Sequence, residues 1–256
     1  MDLELEDRVF VVTGGSRGLG FSCAKELISQ GARVVISGRD ADRCAQAAAE
    51  LDAERAIAFP SDMASPDAAN QLAATAMARF GRLDGAVISV GGPPATTAIS
   101  TTDAEWSESF SSIFLGALRV VQAVSNTIDP ATPAPGGASI VAVLSSSVIR
   151  PIPGLSISNG LRPGLASALQ DFARELGPRG IRINGLLPGR FATDRTFALD
   201  ARSGSPDDVR KRNEESIPLG RYGEPDEFGK AAAFFLSPAS SYITGAMIPI
   251  DGGLTT

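Results

Sequence analysis

Short apolar runs alternate along the chain with stretches whose apolar residues recur every three or four positions. The apolar runs are rich in β-branched residues and predict strands at residues 9–13, 33–37, 56–59, 85–90, 139–144, 181–187 and 248–253. The periodic stretches predict helices at residues 19–28, 40–51, 65–80, 103–126 and 158–176. Because strands and helices alternate, we expect one α/β domain over residues 1–256, with a doubly wound parallel sheet of about seven strands.

Two irregular stretches interrupt this alternation. Residues 129–137 are rich in proline and predict a surface loop. Residues 190–216 combine glycine, proline and charge, and two interpretations stay open for them. They form either a substrate lid over a binding site or a plain surface excursion.

A glycine-rich turn follows the first predicted strand and opens the first predicted helix. Residues 13–20 read Thr-Gly-Gly-Ser-Arg-Gly-Leu-Gly, so that Gly14, Gly18 and Gly20 follow the spacing G-x-x-x-G-x-G. Glycine permits positive φ and a close approach of backbone to ligand, and the free N–H groups of a helix start favour a phosphate. An ordinary βα turn rich in glycine is the alternative. In this strand–turn–helix context the turn predicts dinucleotide binding.

Charge and composition exclude several classes of function. The net charge is −6 and no basic run is present, which argues against nucleic acid as a partner. No apolar stretch is long enough to span a membrane. Cys23 and Cys44 form no C-x-x-C pair and the chain has no histidine, so we expect no metal site, no disulfide framework and a reducing, cytoplasmic environment.

Five motifs in order resemble the short-chain dehydrogenase/reductase superfamily over nearly the whole chain. Besides the glycine turn they are Ser61-Asp62-Met63, Pro188-Gly189 with Thr193, the run 221–225, and the run 243–253, which is similar to 3-oxoacyl-acyl-carrier-protein reductases. The resemblance implies a Rossmann-type fold, a small-molecule substrate and a homo-oligomer, dimer or tetramer. It also implies cofactor-binding roles for Gly14, Ser16, Arg17, Gly18, Leu19, Gly20, Arg39, Asp62, Met63, Gly91, Arg162, Pro188, Gly189 and Thr193.

The choice between NADP(H) and NAD(H) depends on the residues after the second strand. An NAD-specific site places a carboxylate there to accept hydrogen bonds from the ribose 2′-hydroxyl. This chain has Gly38-Arg39-Asp40, and Arg17 lies in the glycine turn. Two guanidinium groups suit a 2′-phosphate, so NADP(H) is favoured. Asp40 could instead serve a hydroxyl if Arg39 points away.

The resemblance does not extend to all the catalytic residues of the superfamily. Its serine position is kept by Ser145, but Ser158 stands where its tyrosine belongs and Arg162 where its lysine belongs. Ile113 replaces the helix asparagine. A serine hydroxyl has a pKa far from neutral and arginine stays protonated, so the usual proton relay is not expected. Ser145, Ser158 and Arg162 remain the catalytic candidates, with Asn159 as a further group to hold an oxygen.

Three interpretations of this altered site stay open. The chain is an atypical oxidoreductase that reduces a carbonyl or another electron-poor acceptor, a cofactor-binding pseudoenzyme that acts as a sensor or oligomer partner, or a non-redox enzyme. The intact cofactor motifs disfavour the third interpretation, and we favour the first. Four arginines are candidates for the mouth of the pocket and suggest an acidic or acyl-carrier-bound substrate: Arg150, Arg190, Arg195 and Arg202.

Overall fold

A parallel sheet of seven strands forms the centre of the molecule. The computed structural model describes residues 2–129, 134–202 and 204–256. Its strands are β1 (Val9–Thr13), β2 (Arg33–Gly38), β3 (Ala56–Pro60), β4 (Gly85–Ile88), β5 (Ala138–Val143), β6 (Ile181–Pro188) and β7 (Met247–Ile250). They lie in the order β3-β2-β1-β4-β5-β6-β7. The predicted doubly wound Rossmann-type sheet is confirmed.

Helices cover both faces of the sheet. They are α1 (Gly18–Ser29), α2 (Ala41–Leu51), α3 (Ala68–Phe80), α4 (Asp103–Ser109), α5 (Gly116–Thr127), α6 (Ser156–Leu176), α7 (Asp194–Asp200), α8 (Pro206–Glu215) and α9 (Pro225–Leu236). Buried residues of α3, α5 and α6 form one apolar cluster with the sheet, and those of α1, α2 and α9 form another. Within the described residues, no helix has both the length and the apolar composition that a membrane crossing requires.

Alternate residues of each central strand enter opposite clusters. Val9 and Val11 of β1 face the cluster of α3, α5 and α6, whereas Phe10 and Val12 face the other cluster. All four are completely buried. This two-sided burial explains why the strands read as continuous apolar runs rather than as alternating patterns.

Several predicted boundaries were wrong. The long helix expected at 103–126 is α4 and α5 joined by a π-helical segment, Phe110–Leu115, whose wider turn contains the buried Ile113. Strand β4 ends at Ile88 because the N–H of Ser89 donates to the side chain of Thr13 (3.0 Å). The last strand ends before Asp251, since Gly252 and Gly253 have positive φ.

Other segments of the chain also differ from their predictions. Helix α3 begins at Ala68 after a turn at residues 65–67, and α9 was not predicted. The irregular stretch 190–216 contains α7 and α8, apart from residue 203, which lies outside the described residues. Residues 130–133 of the expected loop 129–137 also lie outside them.

Candidate cofactor pocket and active site

The glycine turn lies at the point where the strand order reverses. Strand β1 pairs with β2 on one side and with β4 on the other, so successive crossovers leave it in opposite directions. Open α/β sheets bind their ligands at such a switch point. The turn after β1 therefore faces the crevice where a dinucleotide is expected.

Backbone packing explains the glycines of this turn. Gly14 and Gly18 have φ of 58° and 56°, which side chains rarely adopt. A Cβ on Gly20 would lie 2.3 Å from the carbonyl oxygen of Gly14, so α1 packs directly on the turn. A Cβ on Gly18 would meet nothing within 4 Å, so this side of the turn is open to a ligand. Leu19 follows in the first turn of α1.

A cleft beside the turn is lined by charged residues of both signs, including two arginines. Its volume is about 220 Å³ and its lining is Ser16, Arg17, Arg43, Gln46, Ala47, Glu50 and Asp194. Arg43 was not among the predicted residues, although its place in the first turn of α2 is a signal for this end of the sheet. Arg39 is exposed and does not line the cleft. Asp40 caps α2 by accepting the N–H of Arg43 (3.0 Å), which gives its carboxylate a structural role.

The loop after β3 is held against α5. Asp62 is exposed, and its carboxylate accepts the N–H of Ala64 (2.9 Å). Arg119 donates to the carbonyl of Ala64 (3.0 Å), and a Cβ on Gly116 would lie 2.8 Å from the oxygen of Met63. These contacts hold the loop against α5 just after the carboxyl end of β3, and the resemblance assigns adenine binding to Asp62 of this loop.

The turn after β6 packs on the end of β7. The N–H of Gly189, directly after Pro188, donates to the carbonyl of Ile250 (3.0 Å), and a Cβ on Gly189 would lie 2.6 Å from the Cβ of Asp251. The hydroxyl of Thr193 caps α7 by accepting the N–H of Thr196 (3.3 Å). Thr193 thus already has a local partner within the chain.

The candidate serines do not contact each other directly but are linked through Ser147. Ser145, at the end of β5, is half-buried and accepts the N–H of Ser147 (3.1 Å). Ser158 is 5 % exposed, and its hydroxyl lies 3.1 Å from that of Ser147. Ser147, which the sequence analysis did not single out, is therefore the group between the two. Asn159 bonds both backbone groups of Ile152 (2.9 Å each), so its amide closes the loop before α6 and does not face a ligand.

Arg162 is a buried cation. It is 4 % exposed, and its guanidinium donates to the carbonyls of Val143 (2.7 Å) and Val90 (3.4 Å). These oxygens lie at the ends of β5 and β4, beside Gly91. Its Nε is buried without a partner. Burial, and secondarily the charge of Arg195, lower the pKa of Arg162 to about 10, so the group stays charged at neutral pH.

The arginines predicted at the pocket mouth have different positions. Arg190 pairs with the buried Asp200 (2.8 Å), whereas Arg150 is exposed. Arg195 donates to the carbonyl of Pro93 (2.8 Å), and its guanidinium lies across Gly92. Partial burial, followed by the charges of Arg202 and Arg17, lowers the pKa of Arg195. One arginine of the four therefore reaches across the end of β4.

Comparison with known proteins identifies the family. Residues 14–255 match the family model described as enoyl-(acyl carrier protein) reductase. The chain belongs to the short-chain dehydrogenase/reductase superfamily. L-rhamnose 1-dehydrogenase (NAD(P)(+)) of Azotobacter vinelandii is 35 % identical, over 98 % of this chain and 97 % of that protein. The 3-oxoacyl-[acyl-carrier-protein] reductase of Chlamydia trachomatis is 32 % identical, over 98 % of each.

Solved structures of the superfamily share the fold. L-sorbose reductase from Gluconobacter frateurii, in complex with NADPH and L-sorbose, superposes with a TM-score of 0.91. The alignment covers 100 % of this chain and 99 % of that one, at 24 % identity, a level that supports the fold alone. This chain is therefore an oxidoreductase of the superfamily, and the residues of its own site determine its substrate and its catalytic chemistry.

The tyrosines and lysines of this superfamily member lie away from α6. Tyr222 is 2 % exposed and donates to Asp200 (2.7 Å), while Tyr242 is fully exposed. The lysines belong to other helices: Lys25 to α1, Lys211 to α8 and Lys230 to α9. No tyrosine or lysine therefore belongs to α6, the helix that carries Ser158 and Arg162.

Proposed function

We propose that this chain is an NADP(H)-dependent oxidoreductase that reduces a carbonyl or another electron-poor acceptor without the tyrosine–lysine proton relay. The observation that carries the proposal is Arg162, buried and charged at neutral pH, in a chain that keeps the glycine turn, Asp62 and Pro188-Gly189. A relative at 35 % identity is named for the use of NAD(P)+, in agreement with this assignment.

The residues around the glycine turn fit NADP(H). The open side of Gly18 and the start of α1 suit the pyrophosphate, and Arg17 and Arg43 suit the 2′-phosphate. Asp40 is engaged as a helix cap, which weakens the case for NAD(H). When bound, the nicotinamide supplies a hydride.

Arg162 has an electrostatic role in this proposal. A fixed cation at the ends of β4 and β5 stabilises negative charge that develops on the acceptor, without proton transfer from the protein. Ser145, half-buried beside it, orients the acceptor oxygen, and the proton comes from water. Because general acid catalysis is worth about 10²–10⁴-fold, the chemistry favours acceptors that need little acid, such as quinones and conjugated enones.

We further propose that residues 190–216 form the substrate lid of a single domain, 1–256. Asp194, the first residue of α7, lines the same cleft as Arg17, which supports contact between this segment and a bound cofactor. We also expect a homo-oligomer, since Phe110 is 41 % exposed and stacks on Phe114 at 5.1 Å. The expectation of a cytoplasmic location rests on the two cysteines, which form no disulfide. Light scattering on the purified protein gives the oligomeric state directly.

NADPH consumption over a panel of ketones, enones, quinones and imines tests the main proposal. The double variant Ser158→Tyr/Arg162→Lys runs beside the native protein, after NADPH binding and folding of both have been measured. Turnover by the native protein that is restricted to electron-poor acceptors supports an acid-independent reductase. Failure of both proteins to bind NADPH would overturn the assignment.

The alternative is an NADP(H)-binding pseudoenzyme that acts as a sensor or oligomer partner. It is favoured by the hydroxyl of Ser158, which is buried and bonded to Ser147 rather than free to donate. Tight NADPH binding without turnover in the native protein, with activity only in the double variant, would select this alternative.

A further inference from the structure

Two arginines bind backbone carbonyls of the segment that follows β4. Arg162 approaches from α6 and binds the carbonyl of Val90, while Arg195 approaches from α7 and binds the carbonyl of Pro93. A Cβ on Gly92 would lie 2.0 Å from the Cζ of Arg195, so Arg195 can cross the chain here only because residue 92 is glycine. The two arginines therefore both bind the backbone of residues 90–93.

Neither arginine has an acidic partner. Within the described ranges, ion pairs are formed by Arg33, Arg55, Arg82 and Arg190 among others, but not by Arg162 or Arg195. Arg162 also has a buried Nε without any hydrogen-bond partner. Arg162 is buried, whereas Arg195 is exposed at the surface. A buried cation without an acidic partner is unfavourable unless an anion balances it. An anionic ligand bound at both arginines would provide that balance.

We propose that Arg162 and Arg195 form a subsite for the carboxylate of the substrate, so that the acceptor carries a carboxylate close to its reacting carbon. This rests on the proposed function, because it deepens the assignment of the same pocket. Guanidinium forks match carboxylate oxygens in pairs, which makes two arginines a selective site for an acid over its ester.

The phosphates of the cofactor are the other source of anionic oxygen. The start of α1 and the open side of Gly18 already provide for the pyrophosphate, and Arg17 lines the cleft on that side. Arg162 lies instead on α6, at the position of the superfamily's lysine, and the charge that acts on it is that of Arg195. Arg195 lies between the two regions, because the charge of Arg17 acts on it in turn. The substrate carboxylate is therefore the assigned occupant, and the cofactor phosphates are an outcome of the test.

The experiment compares acids with their methyl esters. Calorimetry measures the binding of 2-oxo, 3-oxo and α,β-unsaturated acids, and of the methyl ester of each, to the NADPH-loaded protein. For any acid that is turned over, the NADP+-loaded protein replaces it, so that no reaction occurs during the measurement. The variants are Arg195→Gln and a matched control in the same segment, Arg212→Gln, whose side chain is exposed. The NADPH affinity of each protein is measured from the fluorescence of NADPH.

The proposal expects at least one acid to bind about 10- to 100-fold more tightly than its ester, the scale of a charged hydrogen-bond pair. Arg195→Gln removes that preference and leaves NADPH affinity unchanged, while Arg212→Gln changes neither. The proposed subsite would be rejected if Arg195→Gln still binds the acid more tightly than its ester. It would also be rejected if no acid of the panel binds the native protein more tightly than its ester. Weaker NADPH binding in Arg195→Gln without an effect on acids would assign Arg195 to the cofactor phosphates. If the protein binds an acid preferentially but does not reduce any acceptor, the carboxylate subsite is supported and the proposed reductase activity is rejected. The failure of one proposal can therefore be distinguished from the failure of the other.

Discussion

Gly20 is packed so closely that the turn has no room for a side chain. The Cβ of Gly20→Ala would lie 2.3 Å from the backbone oxygen of Gly14, and backbone cannot move aside as a flexible side chain would. We expect a loss of about 1–3 kcal/mol of stability, the usual range for overpacking, and weaker NADPH binding. Thermal unfolding and fluorescence titration measure the two effects.

The matched control for Gly20→Ala is Gly177→Ala, where a Cβ meets nothing within 4 Å and φ is negative. We expect this control to be neutral or slightly stabilising. Equal stability of the two variants would contradict the close packing of α1 on the turn.

At the level of single residues, sequence spacing located the site but not the partners of its side chains. Ser158 lies at the end of α6 that faces Ser145, yet its hydroxyl is bonded to Ser147. Asn159 was a candidate to hold an oxygen, and its amide instead bonds both backbone groups of Ile152. Hydrogen-bond partners depend on tertiary contacts that no local spacing specifies, and Arg195, 33 residues beyond Arg162 in the sequence, reaches the site for the same reason.

Helix α9 depends on a charged cap at its first turn. Glu227 accepts the N–H of Glu224 (2.7 Å) and both terminal nitrogens of Arg221 (2.8 and 2.7 Å). The bonds from Arg221, followed by that from Glu224, lower the pKa of Glu227 from 4.5 to about 2. A carboxylate with a lowered pKa stabilises the fold above its unfolded pKa, and this contribution disappears as the pH falls through the folded value.

We therefore expect Glu227→Gln to lose about 1 kcal/mol of stability at pH 7, the scale of a helix cap, with salt screening acting to reduce it. The difference from the native protein should shrink as the pH is lowered from 4.5 towards 2. Urea unfolding midpoints at several pH values measure it, with the exposed Glu215→Gln as control. A difference that does not depend on pH would exclude the charged cap.

Strands and helices could be predicted where a single hydrophobic pattern dominates the segment. Strands β1 and β2 are buried on both faces and read as apolar runs, so their existence followed from the sequence. Helix α8 has a single buried residue, Val209, and therefore too weak a periodicity to predict. The π-helical segment between α4 and α5 differs from an α-helix by one backbone hydrogen-bond register, which leaves no trace in the apolar pattern.

A buried polar cluster joins α7 to α8. The hydroxyl of Tyr222 donates to Asp200 (2.7 Å) and accepts from Asn213 (2.8 Å), and Arg190 donates to the same carboxylate. Tyr222→Phe leaves this buried carboxylate with fewer donors. We expect a loss of about 1–2 kcal/mol and faster hydrogen exchange in α7 and α8. Tyr242→Phe, at a fully exposed position, is the control, and an equal effect of both variants would refute the cluster's role.

At the scale of the whole molecule, cofactor binding is linked to unfolding. A ligand that binds only the folded chain at 100 times its dissociation constant adds about 2.7 kcal/mol of stability. For a chain of this size, 1 kcal/mol corresponds to about 2–4 °C, so we expect NADPH to raise the unfolding temperature by about 5–10 °C. NADH at the same concentration should raise it less, because the arginine-lined cleft then has no 2′-phosphate to bind.

The arginines of this cleft decide the difference between the two cofactors. Arg17→Gln and Arg43→Gln should each reduce the temperature shift produced by NADPH and leave that of NADH unchanged, since both side chains line the cleft and neither forms an ion pair within the described part of the chain. Lys211→Gln removes one exposed charge from α8 and controls for net charge alone. Equal shifts of the unfolding temperature with NADPH and NADH would show that the guanidinium groups do not bind the 2′-phosphate. The carboxylate of Asp40 would then be the residue that determines the cofactor preference.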